Sequence, residues 1–179
     1  LPGRSDEAAI DTAPLAGQSV VALSRPNGLI ASTGNLYWTS TAADEFGADV
    51  STVWRAGKNN VPGSEIALYR EFGDDRFFGD IVFANPGTFY GYFVASYSTA
   101  GGIISQIKRV PLTGGTAVVI ANSPAAGARD LRTDGSTLYW IDAGGIRSVA
   151  LAGGAATSLS SDPAVGRISL DNDFVYFGE

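Results

Sequence analysis

Asn35-Leu36-Tyr37-Trp38-Thr39 recurs as Thr137-Leu138-Tyr139-Trp140-Ile141 and again as Phe174-Val175-Tyr176-Phe177-Gly178, with a weaker copy in Tyr90-Gly91-Tyr92-Phe93-Val94. In three copies an aliphatic residue stands eight positions before the tyrosine: Leu29, Leu131 and Ile168. Turn formers lie between, in Thr33-Gly34-Asn35, Asp134-Gly135-Ser136 and Asp171-Asn172-Asp173. Two short apolar runs joined by Gly, Asn and Asp predict a β-hairpin, because these residues accept the positive φ of a tight turn.

A second module follows the first. Ile107-Lys108-Arg109-Val110-Pro111-Leu112-Thr113-Gly114-Gly115 matches Ile146-Arg147-Ser148-Val149-Ala150-Leu151-Ala152-Gly153-Gly154, and each runs on into a β-prone stretch. A degenerate version surrounds Val53-Trp54-Arg55-Ala56-Gly57. Each unit is therefore expected to be two hairpins, strands A to D, repeating at roughly 40–50 residues as β-propeller blades do. The fold class expected is all-β, with three full four-stranded blades at 26–71, 72–124 and 125–163. Aromatic residues fixed at one position of a repeat predict inter-blade core, so Tyr37, Trp38, Tyr139, Trp140 and Tyr176 are expected to be buried.

The flanks match the two halves of a blade. Residues 9–24 align Ile10 with Ile146, Leu15 with Leu151 and Gly17 with Gly153, a C–D half blade; residues 166–179 are an A–B half blade. Exposed strand edges template aggregation, so each half is expected to be paired. Two geometries are open: a closed four-bladed propeller, or a larger one completed by a second polypeptide chain or second copy.

The Leu-Tyr-Trp-Thr and Leu-Tyr-Trp-Ile-Asp segments, with Val-Pro-Leu-Thr-Gly-Gly and its copy, resemble the YWTD-type propellers of low-density-lipoprotein-receptor relatives and bacterial exported propellers of the same repeat. The resemblance implies a fold; such propellers serve as binding modules, scaffolds and occasionally enzymes. Asp142 alone keeps the motif's final acid, while Ser40, Ala95 and Glu179 stand at or near that slot elsewhere.

The 179 residues carry a net charge of −6, with two lysines and ten scattered arginines. Nucleic-acid binding needs clustered cations, so no nucleic-acid partner is expected. No apolar run approaches the ~18 residues of a membrane-spanning helix, so no membrane insertion is expected. The chain starts at Leu1, contains no Met and is poor in Lys, the texture expected of a secreted or periplasmic protein matured by proteolysis. It has no His and no Cys, which removes Ser-His-Asp and Cys-His catalysis and His-ligated metals from this chain's own repertoire.

Carboxylate, Arg and Tyr chemistry remains. Alignment puts Asp80, Arg129, Asp130 and Arg167 at the starts of A strands, where they are expected to ring one funnel on the face made by D–A and B–C loops. There they are candidates for binding a carbohydrate or protein. A carboxylate pair in that funnel would instead suit a carbohydrate-active hydrolase or lyase. Asp44 and Asp49 are weak candidates for calcium, which prefers oxygen ligands. No other cofactor is expected. The leading expectation is a non-catalytic binding or scaffold propeller; one chain of a proteolytically processed larger protein is a further alternative.

Overall fold

The computed structural model describes residues 26–32, 34–43, 46–58, 65–73, 75–84, 89–171 and 173–178. The expected half blade at residues 9–24 lies outside them. Among the described residues the fold is all-β, built from three four-stranded antiparallel sheets and one two-stranded sheet.

The first sheet holds β1 (Pro26–Ala31), β2 (Asn35–Ala43), β3 (Asp49–Gly57) and β4 (Ile66–Phe72) in sequence order. The second holds β5 (Arg76–Phe83), β6 (Tyr90–Thr99), β7 (Gly102–Pro111) and β8 (Val118–Asn122). The third holds β9 (Arg129–Thr133), β10 (Thr137–Asp142), β11 (Gly145–Ala150) and β12 (Thr157–Ser160), and the last β13 (Arg167–Leu170) and β14 (Val175–Gly178). The hairpins β9–β10 and β13–β14 turn on an aspartate. Asp134 accepts from the N–H groups of Ser136 and Thr137, and Asp171 from those of Asp173 and Phe174. The same carboxylates accept the Tyr139 and Tyr176 hydroxyls, at 2.7 and 2.6 Å, tying each turn to its second strand.

The sheets stack in chain order: β5 packs against β1, β2 and β3, β9 against β5 and β6, and β13 against β9 and β10. Strand side chains alternate between faces, so each middle strand serves two joints. Tyr37, Tyr92 and Tyr139 point toward the following sheet and meet Ile81, Leu131 and Ile168 in three successive apolar clusters. Phe93 and Trp140 point back to the preceding sheet.

This alternation corrects part of the burial expectation. Tyr37, Trp38, Trp140, Leu131 and Ile168 are buried, Tyr139 is half-buried, but Tyr176 is 52% and Leu29 47% exposed. Tyr176 faces the side on which no described sheet follows the last one, and Leu29 the side on which none precedes the first. Position in the repeat chooses the face, but exposure differs along it: Trp38, the counterpart of Trp140 on the Leu29 side of the first sheet, is 1% exposed.

Each of the first three sheets bends at the same place. Asn27 is extra between the pairs Pro26↔Ser40 and Gly28↔Thr39, Gly79 and Asp80 oppose Val94, and Asp130 and Leu131 oppose Trp140. Such bulges re-aim a side chain and increase local twist. Asp130 takes φ +52°, a left-handed conformation that Asp tolerates better than most residues. At Gly28 the backbone of β5 comes so close that an added Cβ would lie 2.8 Å from the Cα of Asp80. A second bulge sits in each outer strand, at Leu68, Ile120 and Leu159. The Gly-Gly turns of the following sheets dock on two of them: Gly115 N–H donates to the Leu68 carbonyl at 3.1 Å and Gly154 N–H to that of Ile120 at 3.2 Å.

Trp140 has no exposed surface and its indole N–H donates across the joint to Ser123. Trp140→Ala should cost about 3–5 kcal/mol in denaturant unfolding; a near-neutral variant would contradict this packing.

Candidate functional site

The bulges decide what the A-strand residues do. Asp80 accepts from the Leu131 N–H at 3.3 Å, and Asp130 from the Ile168 N–H at 2.5 Å. Each carboxylate thus reaches from the first strand of one sheet to the first strand of the next. Asp130 also pairs with Arg132. Arg129 donates to the Val165 carbonyl at 3.0 Å, tying the third sheet to the connection that leads into β13, and Arg167 is exposed at the start of that strand. The four candidates therefore lie along the row of first strands, and three of them bond the next sheet or the connection leading into it.

The connections after β4, β8 and β12 and the turns β2–β3, β6–β7 and β10–β11 lie at one end of the sheets. On that end the first joint opens into a cleft of about 280 Å³, lined by Gly73, Asp75, Arg76, Tyr97 and Ser98. Beneath it is a polar cluster. Glu71, at the end of β4, accepts from buried Lys108 of β7, from the Tyr69 hydroxyl at 2.6 Å, from the Tyr97 hydroxyl at 3.0 Å and from Arg76 at 3.3 Å. Arg76 and Lys108 also stand over the Tyr97 ring, 5.8 and 5.1 Å from its centre.

Four donors on one carboxylate set its chemistry. Burial by itself would raise the Glu71 pKa, but the bonds from Lys108, Tyr69 and Tyr97 outweigh it and hold the group below the ordinary carboxylate value. Burial and then the hydrogen bond to Glu71 push the Tyr69 hydroxyl well above 10. Tyr97 moves the same way, through burial and then the Glu71 charge. At neutral pH both phenols stay protonated and donate, so the cluster is a fixed floor rather than a proton store.

Equivalent positions explain the cluster's composition. Lys108 sits opposite Phe93, as Arg147 sits opposite Trp140 and Trp54 opposite Trp38. In the third sheet fully buried Asp142 accepts from Arg147 at 3.1 Å, from Ser123 of the preceding sheet at 2.8 Å and from the Gly144 N–H at 2.8 Å. In the second sheet Ala95 stands in the Asp142 slot, and the carboxylate comes instead from the preceding sheet, as Glu71 in the place of Ser123. In the first sheet Ser40 accepts the Trp54 indole N–H at 2.8 Å, with no charge on either side. Glu71 and Lys108 were not singled out in the sequence. The signal that would have found them is a cation kept at the Arg147 position beside a motif that has lost its acid.

Asp44 lies outside the described residues. Asp49 is half-buried at the start of β3, and its carbonyl accepts the Gly73 N–H at 2.9 Å. Among the described residues no three acidic side chains gather to hold a metal ion.

Replacing Glu71 by Ser leaves Lys108 buried without its anion, which should cost about 3–5 kcal/mol. Adding Ala95→Asp returns a carboxylate from the other side of the joint and should recover part of the loss in thermal unfolding. No recovery would mean that the two slots are not interchangeable. The Glu71 contribution is present above the ordinary glutamate pKa and is lost as pH falls through the lower folded value, so wild-type stability should drop more steeply there than that of Glu71→Gln. No family model matches the chain, and no curated protein is significantly similar to it.

Proposed function

We propose that the chain is a run of β-propeller blades of the YWTD-like type from an exported, non-catalytic binding or scaffold protein, and that it takes a carbohydrate or protein ligand on the end where the inter-sheet connections lie. The four-stranded antiparallel sheets stacked by their first strands support the blade reading. The cleft over Glu71 carries the functional reading. It combines an aromatic edge, a guanidinium, a carboxylate and a hydroxyl, from Tyr97, Arg76, Asp75 and Ser98, on a rigid hydrogen-bonded floor.

Its size, about 280 Å³, falls at or below the low end of the ~300–1,000 Å³ of sites that enclose a small ligand. It suits one sugar ring or one side chain of a larger partner. The carboxylates offered for acid–base work, Asp80 and Asp130, are each committed to a backbone N–H of another strand. A glycosidase pair would need both free on opposite sides of the bond being cleaved, so the binding reading is favoured over the hydrolase.

The test is display of the protein on glycan and peptide arrays beside Ser98→Trp, which fills the cleft from an exposed position. Wild type should bind a defined set of ligands, and the variant should lose at least about tenfold in affinity at unchanged melting behaviour. Binding that survives Ser98→Trp, or wild type that binds nothing on either array, would overturn this assignment.

A further inference from the structure

One strand edge of the second sheet is left without a partner where its counterpart in the first sheet is paired. The β6–β7 hairpin runs past Ala95↔Gln106, the level at which β10–β11 turns, through Ser96↔Ser105, Tyr97↔Ile104 and Ser98↔Ile103 to Thr99↔Gly102. The β2–β3 hairpin is extended in the same direction, from Ser40↔Thr52 to Ala43↔Asp49, and there the outer strand follows it. Arg70, Glu71 and Phe72 pair with Thr52, Ser51 and Val50, and the Gly73 N–H reaches the Asp49 carbonyl at 2.9 Å. In the second sheet β8 pairs only as far as Gln106↔Asn122, and the Ser123 N–H still reaches the Ser105 carbonyl at 2.9 Å. Pro124 comes next. Proline has no N–H to give to a ladder, and by Ala126 the chain is bonded to Ala143 in the β10–β11 turn.

Among the described residues, β7 therefore stands open from Gly102 to Ile104 on the side away from β5. Backbone groups of an antiparallel strand face the same way at every second residue. The N–H and carbonyl of Ile103 thus point outward as the Ser105 carbonyl does, in the place where Asp49 of the first sheet is bonded. Ile103 and Ile104 are 52% and 51% exposed, one on each face of the hairpin. Natural edges are blunted by charge, by Pro, by a bulge or by a cover. Residues 97–107 contain no charged residue and no Pro, and the pairs beyond Gln106 run in unbroken register.

We propose that this edge receives an extended segment of a partner protein, added as a strand that continues the line of β8. Main-chain pairing to Ile103 supplies affinity, and side chains lying beside Ile103 on one face and Ile104 on the other supply selectivity. The segment therefore carries two successive aliphatic or aromatic residues and no Pro. A charged segment would find no counter-charge on residues 97–107. So short an edge matches a linear segment rather than the ~800 Å² per partner that a stable pairing of two folded copies buries. The cleft at the first joint lies on the β5 side of the same hairpin, so the two sites are separate and either can fail without the other.

The test is selection of a phage-displayed library of random short peptides on the full chain, with the enriched peptides synthesised and measured against Ile103→Pro, Ile103→Lys and Arg76→Ala. Pro at this position removes the outward N–H without taking a bond from the β6–β7 ladder, so melting behaviour should be unchanged. Lys keeps the N–H and places a charge on the edge, which decides the matter if the Pro variant fails to fold. Enriched peptides should carry adjacent aliphatic or aromatic residues and lose at least about tenfold in affinity on both Ile103 variants. They should bind Arg76→Ala as they bind wild type, and fail when their alternate amides are N-methylated. Peptides that bind the Ile103 variants undiminished, peptides lost on Arg76→Ala alone, indifference to N-methylation, or no enrichment at all would each overturn the proposal. So would a wild-type dimer in native mass spectrometry that Ile103→Lys dissolves, since a second copy would then hold the edge.

Discussion

Every sheet here has two apolar faces, and a sheet with two apolar faces needs a neighbour on either side. Burial is worth roughly 25 cal/mol per Å² of apolar surface removed from water, so stacking, more than any single bond, organises the molecule. Its mark is the tyrosine series, buried at Tyr37 and Tyr92 and open at Tyr176. The turn bond from Tyr139 to Asp134 and from Tyr176 to Asp171 is the same in both places. Among the described residues, only the presence of a following sheet differs.

Stacking alone leaves sheets free to slide and rotate on one another, and directional bonds remove that freedom. A bulge in each of β1, β5 and β9 bends the strand, and in β5 and β9 it lets Asp80 and Asp130 aim across the joint at a backbone N–H. The first sheet has Gly28 in place of an acid and uses close backbone approach instead, fastened by Asn27 to the Phe78 carbonyl at 2.9 Å and Thr39 to the Gly79 carbonyl at 2.6 Å. At the outer end the Gly-Gly turns do the same work, because only residues that tolerate positive φ bring their N–H groups onto the carbonyls of Leu68 and Ile120.

Between these two fastenings each joint can hold a polar bridge, and that bridge varies in charge. Glu71 with Lys108 at the first joint and Asp142 with Arg147 and Ser123 at the second occupy related space, and Ser40 with Trp54 fills the same positions on the outer side of the first sheet. A buried cation requires an anion but does not specify which strand provides it. At the first joint that freedom moves the acid to the rim of the stack, where it orders Tyr97 and Arg76 and shapes the cleft above them.

The strands, their pairing into hairpins and the Gly-Gly and Asp-containing turns were legible in the sequence, since a two-residue alternation and residues that accept positive φ are local properties. Position within the repeat likewise marked Trp140, Leu131 and Ile168 as core. Tertiary structure decided the rest. Leu29 and Tyr176 carry the same local pattern as their buried counterparts, and no local pattern records whether another sheet lies alongside. That Asp80 and Asp130 each accept from a backbone N–H of the next sheet depends on the bulges, which no local pattern marks. Glu71 and Lys108 stand 37 residues apart and meet only because consecutive sheets stack face to face, so the acid missing at Ala95 could be restored from a strand that sequence comparison at that position never samples.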